Sequence, residues 1–163
     1  MIYKDHLRAL IREVLRHLEP EIPYSEAAVE LLMLTAAQES GLGKYLVQLK
    51  GPARGIYQVE PATERHVLET LQRKHPGLHA KLMSFNAPAD GQGTREDRDM
   101  VFNLAYATAL SRCNYWLKPG PIPSRPGDQA AYYKKHWNTP LGKATEAEAL
   151  TAYLNLCVPV KDV

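Results

Sequence analysis

The sequence predicts an all-α fold, and three observations lead to that prediction. Apolar residues recur at helical spacing through most of the 163 residues. Residues typical of helix ends flank these segments, with Ser25 before the second, Gly41 after it and Thr145 before the last. No alternating run is long enough for a sheet, although the β-prone stretch 55–59 is compatible with a minimal β-hairpin.

Each helix is bounded by its own sequence signals. Pro20 closes the N-terminal segment, Pro61 suits the first turn of the third helix, and Pro76 separates the third helix from the fourth. Thr145 and Glu148 form a capping box for the last helix. In chain order, helices are predicted over residues 1–20, 25–40, 61–73, 77–85, 94–116, 128–137 and from 145 onward.

The length of the chain fits a single domain over residues 1–163. Its N-terminal helix, residues 1–20, is expected to pack on the core. The stretches 86–94 and 118–127 are rich in glycine, proline and polar residues, and they are therefore predicted to be surface loops.

Composition and charge exclude several classes of function. The formal net charge is only +2 and the basic residues form no stripe, so nucleic acid is not an expected partner. The six histidines show no spacing typical of metal ligands, so neither a metal nor an organic cofactor is expected. Cys113 and Cys157 have no CxxC partner and are expected to be buried apolar fillers in a reduced protein.

The sequence also bears on location. Residues 1–20 mix charged with apolar residues, which is the pattern of an amphipathic helix and not of a signal peptide. The chain lacks the run of about 18 apolar residues that a transmembrane helix requires. No membrane contact is therefore expected, and a target outside the cytoplasm would require another route of delivery.

Glu39 is the candidate acid/base on physical grounds. It lies at the carboxyl end of an apolar helix, beside Ser40 and Gly41. The negative end of the helix dipole and partial burial both disfavour its ionised form. A carboxyl group with a raised pKa can donate a proton to a glycosidic oxygen near neutral pH. The alternative is a solvated glutamate in the last turn of a surface helix.

Five segments together resemble the motifs of one enzyme family. The run AAQESGLGKY, followed by PARGIYQVEPAT, resembles the first two motifs of lytic transglycosylases and, more loosely, of goose-type lysozymes. The segments EDRDMVFNLAYATAL, KHWNTPLGKAT and EALTAYL are similar to the later motifs in the same order. The stretch AAYYKKHWNTPLGKATEAE also resembles a region of phage-encoded proteins of this type. The resemblance covers residues 25–156 and implies a lysozyme-like fold.

The resemblance implies a peptidoglycan lytic transglycosylase that cleaves the MurNAc–GlcNAc β-1,4 bond and leaves 1,6-anhydro-MurNAc ends. Glu39 would be the single catalytic acid and base, and Tyr153 would hydrogen-bond Glu39 and fix its rotamer. The partner would be a glycan strand, which Asn138 would bind through a sugar amide. The full set of implied substrate-binding residues is Ser40, Tyr57, Gln58, Glu60, Trp137, Asn138 and Tyr153.

The sequence departs from the family pattern at several positions, and these departures leave alternatives open. Tyr57 stands where the family usually has methionine, and Trp137 replaces a tyrosine. Glu60 would be either a second carboxylate that positions water, which favours goose-type hydrolysis, or a solvated residue at the start of a helix. A further alternative is a virion structural or adaptor protein that keeps the scaffold with little catalysis. The expected location is a phage virion, in contact with other virion proteins, or the host cytoplasm before release at lysis.

Overall fold

Helices make up the fold in the part of the chain that the computed structural model describes, residues 1–86 and 99–158. Within these ranges the only extended pairing is two isolated β-bridges, from Arg54 to Val47 and to Val59, so the predicted hairpin does not form. The all-α prediction is confirmed. The helices are α1 (Lys4–His17), α2 (Glu26–Ser40), α3 (Pro61–Lys74), α4 (Pro76–Ser84), α5 (Asp99–Phe102), α6 (Leu104–Trp116), α7 (Pro126–Tyr133) and α8 (Glu146–Cys157), with a π-helical segment at Lys134–Asn138 between α7 and α8.

Helix α2 is the centre of the core. It packs against α1, α6, α7 and α8, and ten of its residues are buried, so apolar side chains surround it instead of forming one stripe. The predicted ends are confirmed. The Ser25 hydroxyl accepts a hydrogen bond from the Ala28 amide, and Gly41 ends the helix in the left-handed conformation (φ 59°, ψ 47°).

Helix α1 packs against α2 and α6 through one apolar face. Its buried side chains recur at intervals of three and four residues, as expected for an amphipathic helix. They are Leu7, Ile11, Val14 and Leu15.

Two helix predictions are wrong in detail. The predicted helix 94–116 is interrupted at Asn103, which caps α6 by accepting a hydrogen bond from the Tyr106 amide (2.9 Å). An asparagine side chain competes with the helical backbone in this way, which ends α5 and starts α6. Thr94, the predicted cap, and residues 87–94 of the predicted loop lie outside the described residues. The apolar spacing of the last helix also predicts that Leu154 is buried, but this side chain is 48% exposed.

The C-terminal helices otherwise follow the sequence. Helix α7 begins at Pro126, two residues before the predicted start, so the observed loop is shorter than 118–127. The Thr145–Glu148 capping box is present at the start of α8. Both cysteines are free and buried, as predicted. In the described ranges, no helix combines the length and the apolar character needed to cross a bilayer.

Candidate active site

Glu39 is half-buried in the last turn of α2, with its carboxyl group facing α7. The Tyr133 hydroxyl donates a hydrogen bond of 2.6 Å to Glu39 Oε1. Tyr133 ends α7 and is fully buried, so its ring places the hydroxyl on the carboxyl group with little freedom. The two helices therefore hold one oxygen of Glu39 and leave the other, Oε2, without a bond to any described residue.

The protonation of Glu39 follows from this environment. Burial raises the pKa of its carboxyl group to about 7, although the hydrogen bond from Tyr133 acts in the opposite direction. Within residues 1–86 and 99–158, no lysine, arginine or histidine forms an ion pair with Glu39. Near neutral pH the side chain is therefore divided between the acid and the carboxylate, which suits a group that both donates and accepts a proton.

Aromatic side chains form the surroundings of the carboxyl group. Tyr115 of α6 is buried, its hydroxyl bonds the Thr35 hydroxyl (2.8 Å), and the charge of Glu39 contributes to the raised pKa of its phenol. The half-buried Trp137 packs against the Tyr115 ring, with centroids 4.9 Å apart and planes inclined by 32°. The Tyr115 ring therefore lies between Trp137 and the surroundings of Glu39. The half-buried Trp137 ring offers a face on which a sugar ring can stack.

The π-helical segment brings Asn138 to the same site. Burial raises the pKa of the Tyr133 phenol, and the nearby side-chain amide of Asn138 acts in the opposite direction. The Lys134 ammonium donates hydrogen bonds of 2.8 Å to Asn138 Oδ1 and to the Gly142 carbonyl. Single turns of π-helix are frequent at functional sites because they redirect side chains that an α-helix would place elsewhere.

The backbone after Asn138 requires unusual conformations. Thr139 has φ 64° and ψ 162°, a region that non-glycine residues rarely adopt. A Cβ atom added at Gly142 would collide with the backbone and side-chain oxygens of Asn138. The loop is therefore folded tightly onto Asn138, and Lys134 fixes the orientation of its amide.

Two of the predicted substrate-binding residues, Ser40 and Tyr57, are fully buried in the structure. Ser40 is fully buried, and its hydroxyl donates to the carbonyls of Ala36 (3.2 Å) and Ile56 (2.6 Å). Tyr57 is also fully buried, with its hydroxyl 3.0 Å from the Thr108 hydroxyl. Both side chains are turned into the core, Ser40 from the last turn of α2 and Tyr57 from the loop that follows it.

Gln58 and Glu60 follow Tyr57 in the same loop. Gln58 is half-buried, has φ 47°, and donates from Nε2 to the Gly55 carbonyl (2.8 Å). Glu60 is exposed at the start of α3, where its carbonyl accepts the first helical hydrogen bonds. This position of Glu60 matches the second of its two predicted alternatives, a solvated residue at the start of a helix. Gln58 remains a partly accessible side chain beside the buried part of the loop.

The predicted contact between Tyr153 and Glu39 is wrong. The Tyr153 hydroxyl donates to Glu30 Oε2 (2.7 Å), and Glu30 precedes Glu39 by more than two turns of α2. Helix α8 therefore presents Tyr153 to Glu30, whereas α7 presents Tyr133 to Glu39. The tyrosine that binds the candidate acid is therefore Tyr133.

Sequence reasoning assigned Tyr133 no role, because a tyrosine in a short helix is usually a packing residue. The spacing between Tyr133 and Asn138 is five residues, which is the hydrogen-bond spacing of a π-helix. That spacing is meaningful only once the π-helical segment is known.

Metal ligation and similarity to known proteins add no further assignment. Among the described residues, no group of three or more histidine, cysteine, aspartate or glutamate side chains is arranged to hold a metal ion. Comparison of the chain with protein-family models, curated proteins and solved structures gives no match.

Proposed function

We propose that the protein is a lysozyme-like enzyme that cleaves the glycan strands of peptidoglycan, with Glu39 as its acid and base. The observation that carries the proposal is the carboxyl group of Glu39, whose pKa is raised to about 7 by burial while a tyrosine holds it in place. Proton donation to a glycosidic oxygen requires such a group at neutral pH. The motif resemblance of residues 25–156 supports the same assignment.

The scarcity of acidic groups at the site favours a transglycosylase over a hydrolase. In the described part of the chain, Glu39 is the only acidic side chain whose charge acts on Tyr133 and Tyr115. Most glycosidases use two carboxyl groups, one of them to activate water or to attack the sugar. A transglycosylase needs one, because the 6-hydroxyl of the muramic acid is the nucleophile.

The proposed reaction has two proton transfers at Glu39. The protonated side chain first gives its proton to the bridging oxygen, and the bond from that oxygen to C1 of the muramic acid breaks. The resulting carboxylate then takes the proton of the 6-hydroxyl group, and the oxygen of that hydroxyl forms the new bond to C1. The products are a 1,6-anhydro end and a free 4-hydroxyl, and Glu39 is again protonated. In this proposal Tyr133 holds the rotamer of Glu39, and Asn138 and Trp137 contact the sugar.

Product analysis tests this proposal directly. Purified cell walls incubated with the protein are expected to release muropeptides whose ends are one water lighter than reducing ends. Glu39→Gln is expected to release none, because an amide cannot donate the proton. Reducing ends would identify a goose-type hydrolase instead. If the folded wild-type protein releases nothing, or Glu39→Gln remains fully active, the enzymatic proposal fails and a virion structural or adaptor role takes its place.

The place of action belongs to the same proposal. A phage particle that carries the protein to the wall, or release from the host cytoplasm at lysis, would each supply access to peptidoglycan. Detection of the protein in purified particles would distinguish the two routes.

A further inference from the structure

Arg112 has a position that packing does not explain. It lies on α6 and is only 6% exposed, yet its Nε atom is buried without a hydrogen-bond partner. Its other guanidinium nitrogens also bind no described residue, and they keep contact with solvent. Burial lowers the pKa of Arg112, and among the described residues no carboxylate acts on it. A buried charge without a partner is costly, and proteins usually keep one where a ligand supplies the opposite charge.

A second unpartnered donor lies beside this guanidinium. The Tyr132 hydroxyl is buried and has no hydrogen-bond partner among the described residues, and the charge of Arg112 acts on it. The Tyr132 ring is fixed between His136 (centroids 4.4 Å apart) and Tyr115 (5.9 Å). Arg112 and Tyr132 thus present N–H and O–H donors from two different helices, and neither element supplies an acceptor for them.

The charged side chains that act on His136, next to Tyr132, are cations. Lys118 and Lys135 both act on His136, which packs on the Tyr132 ring, and with burial they lower the pKa of its imidazole. No acidic side chain contributes to the pKa of Arg112, Tyr132 or His136 within the described ranges. The two lysines favour the approach of an anion to Arg112 and Tyr132.

We propose that Arg112 and Tyr132 form a binding site for a carboxylate group. A planar carboxylate can accept from the arginine fork and from the phenol at the same time. The site adjoins the candidate active site, because Tyr132 precedes Tyr133 and packs on Tyr115.

The source of the carboxylate rests on the proposed function. In peptidoglycan a muramic acid carries a free lactyl carboxylate where its peptide has been removed, and carboxylates of the peptide stem where it has not. Both sources present the same group next to the sugar. Either would make the muramic acid, and not the glucosamine, the residue that the site recognises.

Binding is tested without any cleavage. The Arg112 Nε–H resonance of the full chain, assigned by its loss in Arg112→Met, is followed during titration with N-acetylmuramic acid and, separately, with N-acetylglucosamine. The acid is expected to move this resonance saturably, while the neutral sugar leaves it in place. Equal effects of the two sugars, or none from either, would overturn the proposal. A stronger response to inorganic phosphate than to the acid would also overturn it, because the site would then be a phosphate site.

Two variants measure the contribution of each donor. Arg112→Met is expected to weaken binding of the acid about 10- to 100-fold, as for loss of a charge-assisted hydrogen-bond pair. Tyr132→Phe is expected to weaken it about fivefold. Because Arg112 is unpaired, its replacement by methionine should keep or raise the melting temperature. Arg8→Met is the matched control, since Arg8 has a carboxylate partner and its loss should lower the melting temperature.

Glycans distinguish the two sources of the carboxylate. In the Glu39→Gln background, so that no strand is cut, binding is measured for stem-bearing strands, for amidase-stripped strands and for chitin oligosaccharides. A loss caused by Arg112→Met only with stripped strands assigns the lactyl carboxylate, and a loss only with stem-bearing strands assigns the stem. An equal loss with chitin would overturn carboxylate recognition. Failure of the proposed enzymatic function would leave the N-acetylmuramic acid titration intact, so the two failures are distinguishable.

Discussion

Helix α2 carries three glutamates, and the comparison of two of them, Glu30 and Glu39, bears on which carboxyl group can exchange a proton near neutral pH. The Tyr153 hydroxyl donates to Glu30 at 2.7 Å, and the Tyr133 hydroxyl donates to Glu39 at 2.6 Å. Each tyrosine comes from a different C-terminal helix that packs against α2. The hydrogen bond to tyrosine is therefore common to both glutamates and cannot decide their roles.

The difference is a cation. Arg8 donates to both oxygens of Glu30, from Nε at 2.7 Å and from Nη2 at 3.2 Å, and this pair raises the pKa of the guanidinium. Glu39 has no such partner in the described residues, and burial raises its pKa to about 7. A paired carboxylate braces α1, α2 and α8, whereas an unpaired one next to a tyrosine becomes a proton donor.

The largest expected effect comes from removing each charge in turn. Glu39→Gln is expected to lower the rate of wall cleavage by about 100- to 10,000-fold, the usual contribution of a general acid. Glu30→Gln is expected to keep most of that rate at low temperature, because it only loosens the contact of α1 with α2. Dye release from labelled walls measures both variants.

The matched stability measurement completes this comparison. Glu30→Gln leaves Arg8 without its partner and should lower the midpoint of denaturant unfolding, whereas Glu39→Gln should not. If Glu30→Gln abolished cleavage while remaining folded, or Glu39→Gln kept it, the division of roles between the two glutamates would be wrong.

The second effect is the dependence of stability on pH that Glu39 contributes. Its pKa is raised on folding, so its contribution to stability is complete below about pH 4.5 and is lost as the pH rises to about 7. The loss amounts to at most about 3 kcal/mol in the free energy of unfolding. Unfolding of the wild type and of Glu39→Gln, compared at pH 4 and pH 8, cancels the other groups. An unchanged difference between the two proteins would show that the carboxyl group titrates normally.

Cleavage should follow the same titration. The protonated acid is the active form in the first step, so activity is expected to fall as the pH rises through about 7.

The fold could be predicted largely because its signals are local. The capping residue Ser25, the left-handed Gly41 and the Thr145 capping box each act within a few residues, and all are confirmed. The break at Asn103 was missed, because an asparagine inside an apolar pattern ends a helix only when its side chain turns back to the backbone.

In the candidate site too, the features set by local sequence could be predicted and those set by tertiary packing could not. Glu39 could be found from its position at the end of an apolar helix, since burial and the helix dipole act locally. Its tyrosine could not, because Tyr133 and Tyr153 both lie on helices that pack against α2, and tertiary packing decides which of them meets Glu39. The burial of Ser40 and Tyr57 likewise depends on which side of the loop after α2 faces the core.

The third expected effect comes from removing the cation, Arg8. Arg8→Met leaves the Glu30 carboxylate bound only by Tyr153, in a place where it is 25% exposed. Removing one partner of a partly buried pair is expected to lower the free energy of unfolding by about 2 kcal/mol. Denaturant unfolding at neutral pH measures the loss. A variant as stable as the wild type would mean that the ion pair contributes nothing.

The smallest expected effect distinguishes the role of Tyr133 from that of Tyr153. Tyr133→Phe removes the hydrogen bond that lowers the pKa of Glu39, so this pKa should rise further and the alkaline limb of the cleavage profile should move to higher pH. Tyr153→Phe should leave the profile in place and lower the free energy of unfolding by about 1 kcal/mol, because its partner is Glu30. The pH profiles of the two variants, recorded with unfolding curves as the control for stability, make the distinction. If Tyr153→Phe moved the profile and Tyr133→Phe did not, the catalytic contact would belong to α8, and the assignment of Tyr133 would have to be abandoned.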